Sequence, residues 1–248
     1  MGAPGAFLSP DQVAMLDAMD IQTWRSQSAP RVEEVVPLPV IETAAIQPVD
    51  SKTNSSANTN SNSLPVNEWE TLAASVANCR RCELHESRRQ TVFGAGNTAA
   101  DWMIIGEAPG AEEDRQGQPF VGKAGQLLNE MLRAVGFARD DVYIANILKC
   151  RPPGNRDPKV DEAEACAQYL RRQIEMVAPK MILVVGRIAA QNLLQSGEPV
   201  GRMRGVVHRL GPANVPVVVT YHPAYLLRSP EQKRKAWADL CLARSVAG

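Results

Sequence analysis

Four short apolar segments recur after residue 100 of this 248-residue chain, with stretches of helical length between them. A short apolar run bounded by turn residues is typical of a strand that is buried on both faces. Strands that alternate with helices build a parallel sheet with helices on both sides. The sequence therefore predicts an α/β fold, three-layer αβα with a central four-stranded parallel sheet. The predicted strands span residues 102–106, 142–147, 181–185 and 215–221, and the predicted helices span 68–77, 123–136, 160–177, 187–195 and 230–246.

The first 66 residues differ from the rest in composition. Residues 8–26 begin with Ser9 and Pro10 and carry an apolar stripe, which is typical of a short amphipathic helix. Residues 27–66 are rich in Pro, Val, Ser and Asn and bury too little apolar surface to offset their ordering entropy. We therefore predict a disordered N-terminal extension over residues 1–66, in which a flexible linker follows the helix, and one folded domain over residues 67–248.

The formal net charge is zero, but the two regions differ in sign. Residues 1–66 carry a balance of −4 and residues 67–248 a balance of +4. This modest excess predicts a weak to moderate, salt-sensitive affinity for nucleic acid. The basic residues expected at such a surface are Arg80, Arg81, Arg88, Arg89, Lys149, Arg151 and Arg156, with an ordinary solvated face as the alternative.

The location of the protein is predicted from what the sequence lacks. No apolar run approaches the roughly 20 residues that a membrane helix needs, and residues 1–4 have neither the basic nor the apolar region of a signal peptide. We expect a cytoplasmic monomer that does not bind membranes.

Cysteine spacing indicates a metal or redox site. Cys79 and Cys82 form a C-x2-C pair, and Cys150 and Cys166 follow as single residues. In a reducing cytosol such cysteines favour metal or redox chemistry over disulfides. The spacing fits structural zinc and an iron–sulfur cluster, and both remain open at this point. Cys241 lies at an apolar position of the last helix and is predicted to be a buried free thiol.

Polar loops follow three of the predicted strands. Gly106 and Glu107 follow the first, Asn146 ends the second, and His222 follows the last. Ligands of open α/β sheets bind beyond the carboxyl ends of the strands, so these loops are expected to share one pocket. An amide, an imidazole and the ring of Phe120 together suit a flat polar ring such as a nucleobase.

Three motifs carry a resemblance to a known family. GEAPGAEEDRQGQPFVGKAGQLL, NILKCRPPGNRDP and HPAYLLR resemble the family 4 uracil-DNA glycosylases, the iron–sulfur branch of that superfamily, and the likeness runs from about Glu68 to the C-terminus. It implies an enzyme that flips uracil out of DNA and hydrolyses its N-glycosidic bond, leaving an abasic site. It also implies a [4Fe-4S] cluster on Cys79, Cys82, Cys150 and Cys166. The alternative is a non-catalytic iron–sulfur module that binds DNA or assists replication.

The resemblance implies roles for the pocket residues. Phe120 stacks on the extruded base, Asn146 pairs with O4 and N3–H of uracil, and His222 donates to O2 of the departing base. Core burial for Phe120 and a strand-end turn for Asn146 are the alternatives. Gly106 and Ala108 belong to the substrate-binding loop.

Further roles are left as hypotheses. Glu107 is a candidate for positioning the base through its backbone or for orienting water. Glu113 or Asp114 is a candidate for closing the pocket against a C5 methyl group, with a solvated acidic run over residues 112–114 as the alternative. Residues 225–227 (Tyr225, Leu226, Leu227) are a candidate DNA wedge, with burial of the two leucines as the alternative.

The helix at residues 8–26 is similar to the N-terminal peptide of the psi subunit of bacterial DNA polymerase III. An amphipathic helix on a tether is a common groove-binding ligand, so we expect it to bind a replication or repair protein. The alternatives are a helix that folds back on the domain and a segment that stays disordered.

Overall fold

A computed structural model describes residues 68–247. The predicted helix at 8–26 and the predicted linker at 27–66 lie outside the described residues, so both stay predictions. Within residues 68–247 no helix has the length and apolar character needed to cross a membrane.

The sheet has six strands rather than the four predicted. The strands are β1 Ala95–Gly96, β2 Trp102–Gly106, β3 Tyr143–Asn146, β4 Met181–Val185, β5 Val207–Leu210 and β6 Val215–Thr220. The four predicted strands, β2, β3, β4 and β6, are present and parallel, and the order across the sheet is β1-β3-β2-β4-β6-β5. The two additional strands are antiparallel edge strands, β1 against β3 and β5 against β6.

The sequence did not predict the edge strands β1 and β5, for a physical reason. Strand β1 is only two residues long, and β5 is half-exposed, so neither contains the continuous apolar run of a strand that is covered on both faces. The parallel strands β2 and β4 are buried at every position.

The five predicted helices are present, with ends that differ by at most a few residues. They are α1 Glu68–Ala77, α4 Lys123–Ala134, α5 Val160–Val177, α6 Arg187–Leu194 and α9 Lys233–Ala247. Four shorter helices were not predicted, because four to six residues are too few to show a helical period. They are α2 Leu84–Ser87, α3 Ala111–Gln116, α7 Val200–Met203 and α8 Pro223–Arg228.

Helices cover both faces of the sheet, which confirms the three-layer αβα architecture. Alternate residues of β2 point to opposite sides: Met103 and Ile105 join the core beneath α5 and α6, whereas Trp102 and Ile104 join the core beneath α4 and α9. The prediction for Cys241 on α9 is wrong, because this cysteine is exposed. Its place in the helix was predicted correctly, but it lies off the face that packs on the sheet.

Candidate active site

Register brings the first two polar loops together. Gly106 is the register partner of Asn146 at the carboxyl ends of β2 and β3. The pairing continues past the strands, since Ile147 N–H donates to Gly106 O at 2.9 Å and Leu148 N–H donates to Glu107 O at 3.0 Å. Residues 106 and 107 are thereby held beside Asn146.

The Asn146 side chain is buried without a partner. The residue is 1% exposed, and within residues 68–247 neither its amide oxygen nor its amide nitrogen forms a hydrogen bond. A buried polar group without a partner costs about 1–3 kcal/mol, and folded proteins rarely retain one without a function. One donor and one acceptor are therefore available here to a ligand.

Gly106 leaves no room for a side chain. A Cβ at this position would lie 2.4 Å from Asn146 Oδ1 and 2.6 Å from Phe120 Cζ. The backbone at the end of β2 therefore lies in direct contact with both the amide and the aromatic ring.

Phe120 adopts a backbone conformation that is rare for its residue type. Its φ is 51°, its side chain is 7% exposed, and its ring stacks on His222 with centroids 5.7 Å apart and planes at 29°. A left-handed conformation at a bulky residue persists only where surrounding contacts enforce it. The ring packs in the core beneath α4 and α9, as in the burial alternative, and also contacts His222 and Gly106.

Two charged side chains supply those contacts. Arg139 donates to the carbonyl oxygens of Pro119 and Phe120, and also to Asn129 Oδ1 at 3.1 Å. On the other side of Phe120, Glu113 Oε1 accepts from the N–H groups of residues 121 and 122, at 3.0 Å and 3.2 Å. Arg139 thus binds the carbonyls of residues 119 and 120, and Glu113 binds the N–H groups of residues 121 and 122.

The acidic run splits into three environments. Glu113 binds the Phe120 loop, Asp114 is buried and accepts from Arg89 N–H at 2.9 Å, and Glu112 pairs with Arg115 at the surface. Of the three, only Glu112 fits the alternative of a solvated acidic run.

His222 is the N-cap of α8. Its Nδ1 accepts a hydrogen bond from Ala224 N–H at 3.1 Å, so in the neutral ring the proton resides on Nε2. The pKa of His222 is lowered to about 4, mainly by burial and also by the charge of Arg228. The imidazole is therefore a neutral group with Nε2–H as its donor.

Gly186 allows the third loop to reach this pocket. Strand β4 lies between β2 and β6, so His222 must pass over the end of β4 to meet Phe120. A Cβ on Gly186 would lie 3.1 Å from His222 Cβ, and the φ of +99° at this position also favours glycine. The sequence signal was a glycine directly after an apolar strand, which also occurs in ordinary turns.

Glu107 is a half-buried carboxyl group next to the pocket. Its pKa is raised to about 7, mainly by burial and also by Asp157, against an opposing effect of Arg187. Asp157 and Arg187 form an ion pair at 2.9 Å. Ala108 follows Glu107 and packs against the core beneath α5 and α6.

The three candidate wedge residues face different environments. Tyr225 and Leu227 are 36% and 45% exposed, whereas Leu226 is 1% exposed and belongs to the core beneath α4 and α9. Leu226 therefore follows the burial alternative, and Tyr225 and Leu227 are the two residues with surface to offer to DNA.

All four predicted cysteine ligands line one cavity, together with Arg88 and Lys149. Arg88 Nη1 donates to Cys150 Sγ at 3.0 Å, and Lys149 N–H donates to Cys166 Sγ at 3.3 Å. Burial raises the pKa of Cys150 and brings that of Cys166 to about 11, which disfavours their thiolate forms. Across residues 68–247, however, no group of three or more such side chains stands in metal-ligand geometry.

The predicted basic surface is wrong for Lys149, whereas Arg88 and Arg156 are half-exposed and engaged in contacts within the domain. Lys149 is 1% exposed, Arg88 contacts Cys150 and two backbone carbonyls, and Arg156 pairs with Glu162. Long basic side chains are usually exposed, and their spacing along the sequence carries no signal of burial. The remaining four are exposed or half-exposed: Arg80, Arg81, Arg89 and Arg151.

Comparisons with known proteins show the family of this chain. Residues 93–241 match the family model described as the uracil DNA glycosylase superfamily. The chain is 43% identical over 175 residues to a type-4 uracil-DNA glycosylase from Archaeoglobus fulgidus, which covers 68% of this chain and 87% of that protein. It is 41% identical over 180 residues to the type-4 enzyme of Thermotoga maritima, covering 71% and 93% of the two chains. A type-5 uracil-DNA glycosylase from Pyrobaculum aerophilum is 31% identical over 184 residues, covering 61% and 80%.

Proposed function

Because this chain belongs to the uracil-DNA glycosylase superfamily, with type-4 enzymes among its relatives, we propose that it removes uracil from DNA. The reaction hydrolyses the N-glycosidic bond of an extruded deoxyuridine and leaves an abasic site for base excision repair. The protein is accordingly a monofunctional DNA glycosylase, a hydrolase that acts on N-glycosyl bonds.

The observation that carries this proposal is the unpaired, buried amide of Asn146. Its N–H group matches O4 of uracil and its oxygen matches N3–H. Cytosine presents a donor and an acceptor in the reverse order, so binding cytosine would leave buried polar groups unpaired. Phe120 lies against Gly106 at the same point and provides an aromatic surface for the base.

His222 supports departure of the base. Negative charge develops on the uracil oxygens as the glycosidic bond breaks, and a fixed N–H donor stabilises that charge more than it stabilises the ground state. The contact from Ala224 to Nδ1 keeps Nε2–H as the donor in the neutral ring. Glu107 is the carboxyl group available to orient the attacking water, in its ionised form above a pH of about 7.

We also propose that Cys79, Cys82, Cys150 and Cys166 hold a [4Fe-4S] cluster. Four thiols that line one cavity, with two N–H donors directed at sulfur, support this assignment. Base excision transfers no electrons, so the cluster would serve as a structural link. It would connect the segment after α1, the segment after β3 and helix α5.

The test is uracil release from single- and double-stranded oligonucleotides that contain one uracil. We expect strand scission after alkali with the iron-loaded wild type, and losses of at least about 100-fold for Asn146→Ala and His222→Ala. Asn192→Ala on α6 and His208→Ala on β5 are the matched controls and should retain activity. No release by an iron-loaded wild type would reject the glycosylase in favour of a non-catalytic DNA-binding module.

Residues 8–26 are proposed to recruit the enzyme to a replication or repair protein. A peptide of residues 1–30 that retains no polymerase III subunit from lysate would count against this. The cytoplasmic location and the monomeric state are likewise proposals, and light scattering after size exclusion checks the second.

A further inference from the structure

A buried lysine lies between the cysteine cavity and the pocket amide. Lys149 is 1% exposed, and its ammonium group donates to the backbone oxygen of Asn146 at 3.0 Å and to Gln173 Oε1 at 2.6 Å. Its own backbone N–H donates to Cys166 Sγ, and the next residue is Cys150. The side chain of Lys149 therefore contacts the backbone of Asn146, whose side-chain amide has no partner, and the main chain of Lys149 contacts the cysteine cavity.

Among residues 68–247 no strand supplies a donor to the Asn146 carbonyl, which leaves this contact to Lys149. Ile147 N–H bonds to Gly106 on β2, and successive residues of a strand direct their peptide groups to opposite sides. The Asn146 carbonyl therefore faces the side of β1, whose two residues pair only with Tyr143 and Ile144. The Lys149 ammonium group takes the place that a strand N–H would have occupied.

Gln173 anchors the lysine from helix α5. Gln173 is fully buried, and its Nε2 donates to Phe93 O at 2.9 Å and to Tyr143 Oη at 3.0 Å. Cys166 lies two turns earlier on the same helix. Any shift of α5 relative to β3 would therefore act on both the cavity and the contact to Asn146.

We propose that Lys149 is a positioning residue that holds the Asn146 backbone and thereby couples the cysteine cavity to recognition of the base. This inference rests on the proposed function, since it assigns Lys149 an effect on the same amide. Lys149 does not touch the substrate; it acts through Asn146.

The test compares Lys149→Met with Lys180→Met, whose side chain is 67% exposed and pairs with Asp101. Iron per protein and visible absorbance report the cluster. Affinity for a duplex with a non-cleavable deoxyuridine analogue, relative to thymidine, reports base recognition without catalysis. For Lys149→Met we expect unchanged iron, about 10- to 100-fold slower single-turnover release and weaker preference for the analogue, because a displacement of about 1 Å costs up to about 100-fold.

A double-mutant cycle separates positioning from a general structural effect. Once the amide is removed by Asn146→Ala, adding Lys149→Met is expected to slow release by less than about twofold more. Additive losses would overturn the proposal, and so would a Lys149→Met protein indistinguishable from the Lys180→Met control.

Gln173→Leu is the second variant, because it breaks the anchor without altering a neighbour of Cys150. We expect intact iron and a smaller loss in the same direction. Loss of iron from both variants would assign Lys149 to cluster retention and overturn the proposal. If the wild type releases no uracil, the proposed function fails. Affinity for the non-cleavable analogue then still tests the role of Lys149, because equal affinity of the wild type and of Lys149→Met overturns the inference.

Discussion

Replacing Gly106 by alanine tests the geometry of the pocket with one methyl group. The new Cβ would lie 2.4 Å from Asn146 Oδ1 and 2.6 Å and 2.7 Å from two atoms of the Phe120 ring. Ordinary contacts of a Cβ begin at 3.4 Å, so the amide must retreat by about 1 Å and the ring by slightly less. The backbone at Gly106 is not left-handed, so the effect comes from these contacts alone.

The expected losses follow from that displacement. A shift of about 1 Å in a positioning group costs about 100-fold in rate, and overpacking of this kind costs about 1–3 kcal/mol of stability. We therefore expect Gly106→Ala to fold and to retain its iron, and to release uracil about 100-fold more slowly under single-turnover conditions. Affinity for the non-cleavable analogue should fall, because the amide and the ring both contact the base.

Gly197→Ala is the matched control, since nothing lies within 4 Å of a Cβ built at that position. It should match the wild type in rate and in unfolding midpoint. The reasoning is refuted if Gly106→Ala releases uracil within about threefold of this control, because Asn146 and Phe120 would then tolerate a displacement that the proposed mechanism forbids.

Three other perturbations give separate checks. The pKa of Glu107 is about 7, mainly because of burial, so its carboxylate forms as the pH rises, and we expect wild-type kcat/KM to increase from about pH 6 to about pH 8. Glu107→Gln should have a low kcat/KM that does not change with pH. A pH profile in this variant like that of the wild type would exclude Glu107 as the water-orienting group. Cys150→Ser should lose iron and brown colour while exposed Cys241→Ser keeps both, and equal iron in the two would contradict the ligand assignment. Arg139→Met removes the hydrogen bonds to the carbonyls of residues 119 and 120 and should lower kcat/KM about tenfold, equivalent to about 1.4 kcal/mol. Arg133→Met, at an exposed arginine, is its control. Equal rates for the two variants would show that the contacts of Arg139 are dispensable.

Much of the fold follows from local sequence patterns. The apolar runs at β2 and β4 and the long amphipathic helix α5 have the predicted bounds, because a segment covered on one or two sides shows its burial pattern in its own residues. Strand β5 shows the converse. It pairs along one edge and is half-exposed, so its sequence has no continuous apolar run.

The residues of the site also fall into those that the sequence predicted and those that it did not. Asn146 and His222 were predicted because polar residues at the ends of buried strands share an edge in any parallel sheet. Lys149 was wrongly assigned to the surface and Leu226 was left between wedge and core, because a lysine in a basic stretch and a leucine in a short helix carry no local sign of which side faces the interior. The clamp by Arg139 and Glu113 joins residues far apart in the chain, and only their packing shows that both hold one turn.

The sequence by itself determined the parallel strands, the order of the polar loops and the four cysteines of one cavity. Only the tertiary structure decided that His222 reaches Phe120 across Gly186 and that Lys149 fills the place of a missing strand donor beside Asn146. The physical reason is that composition and periodicity report how much of a residue is buried, whereas strand order and register determine which buried groups meet. Those depend on contacts between segments that are distant in the sequence.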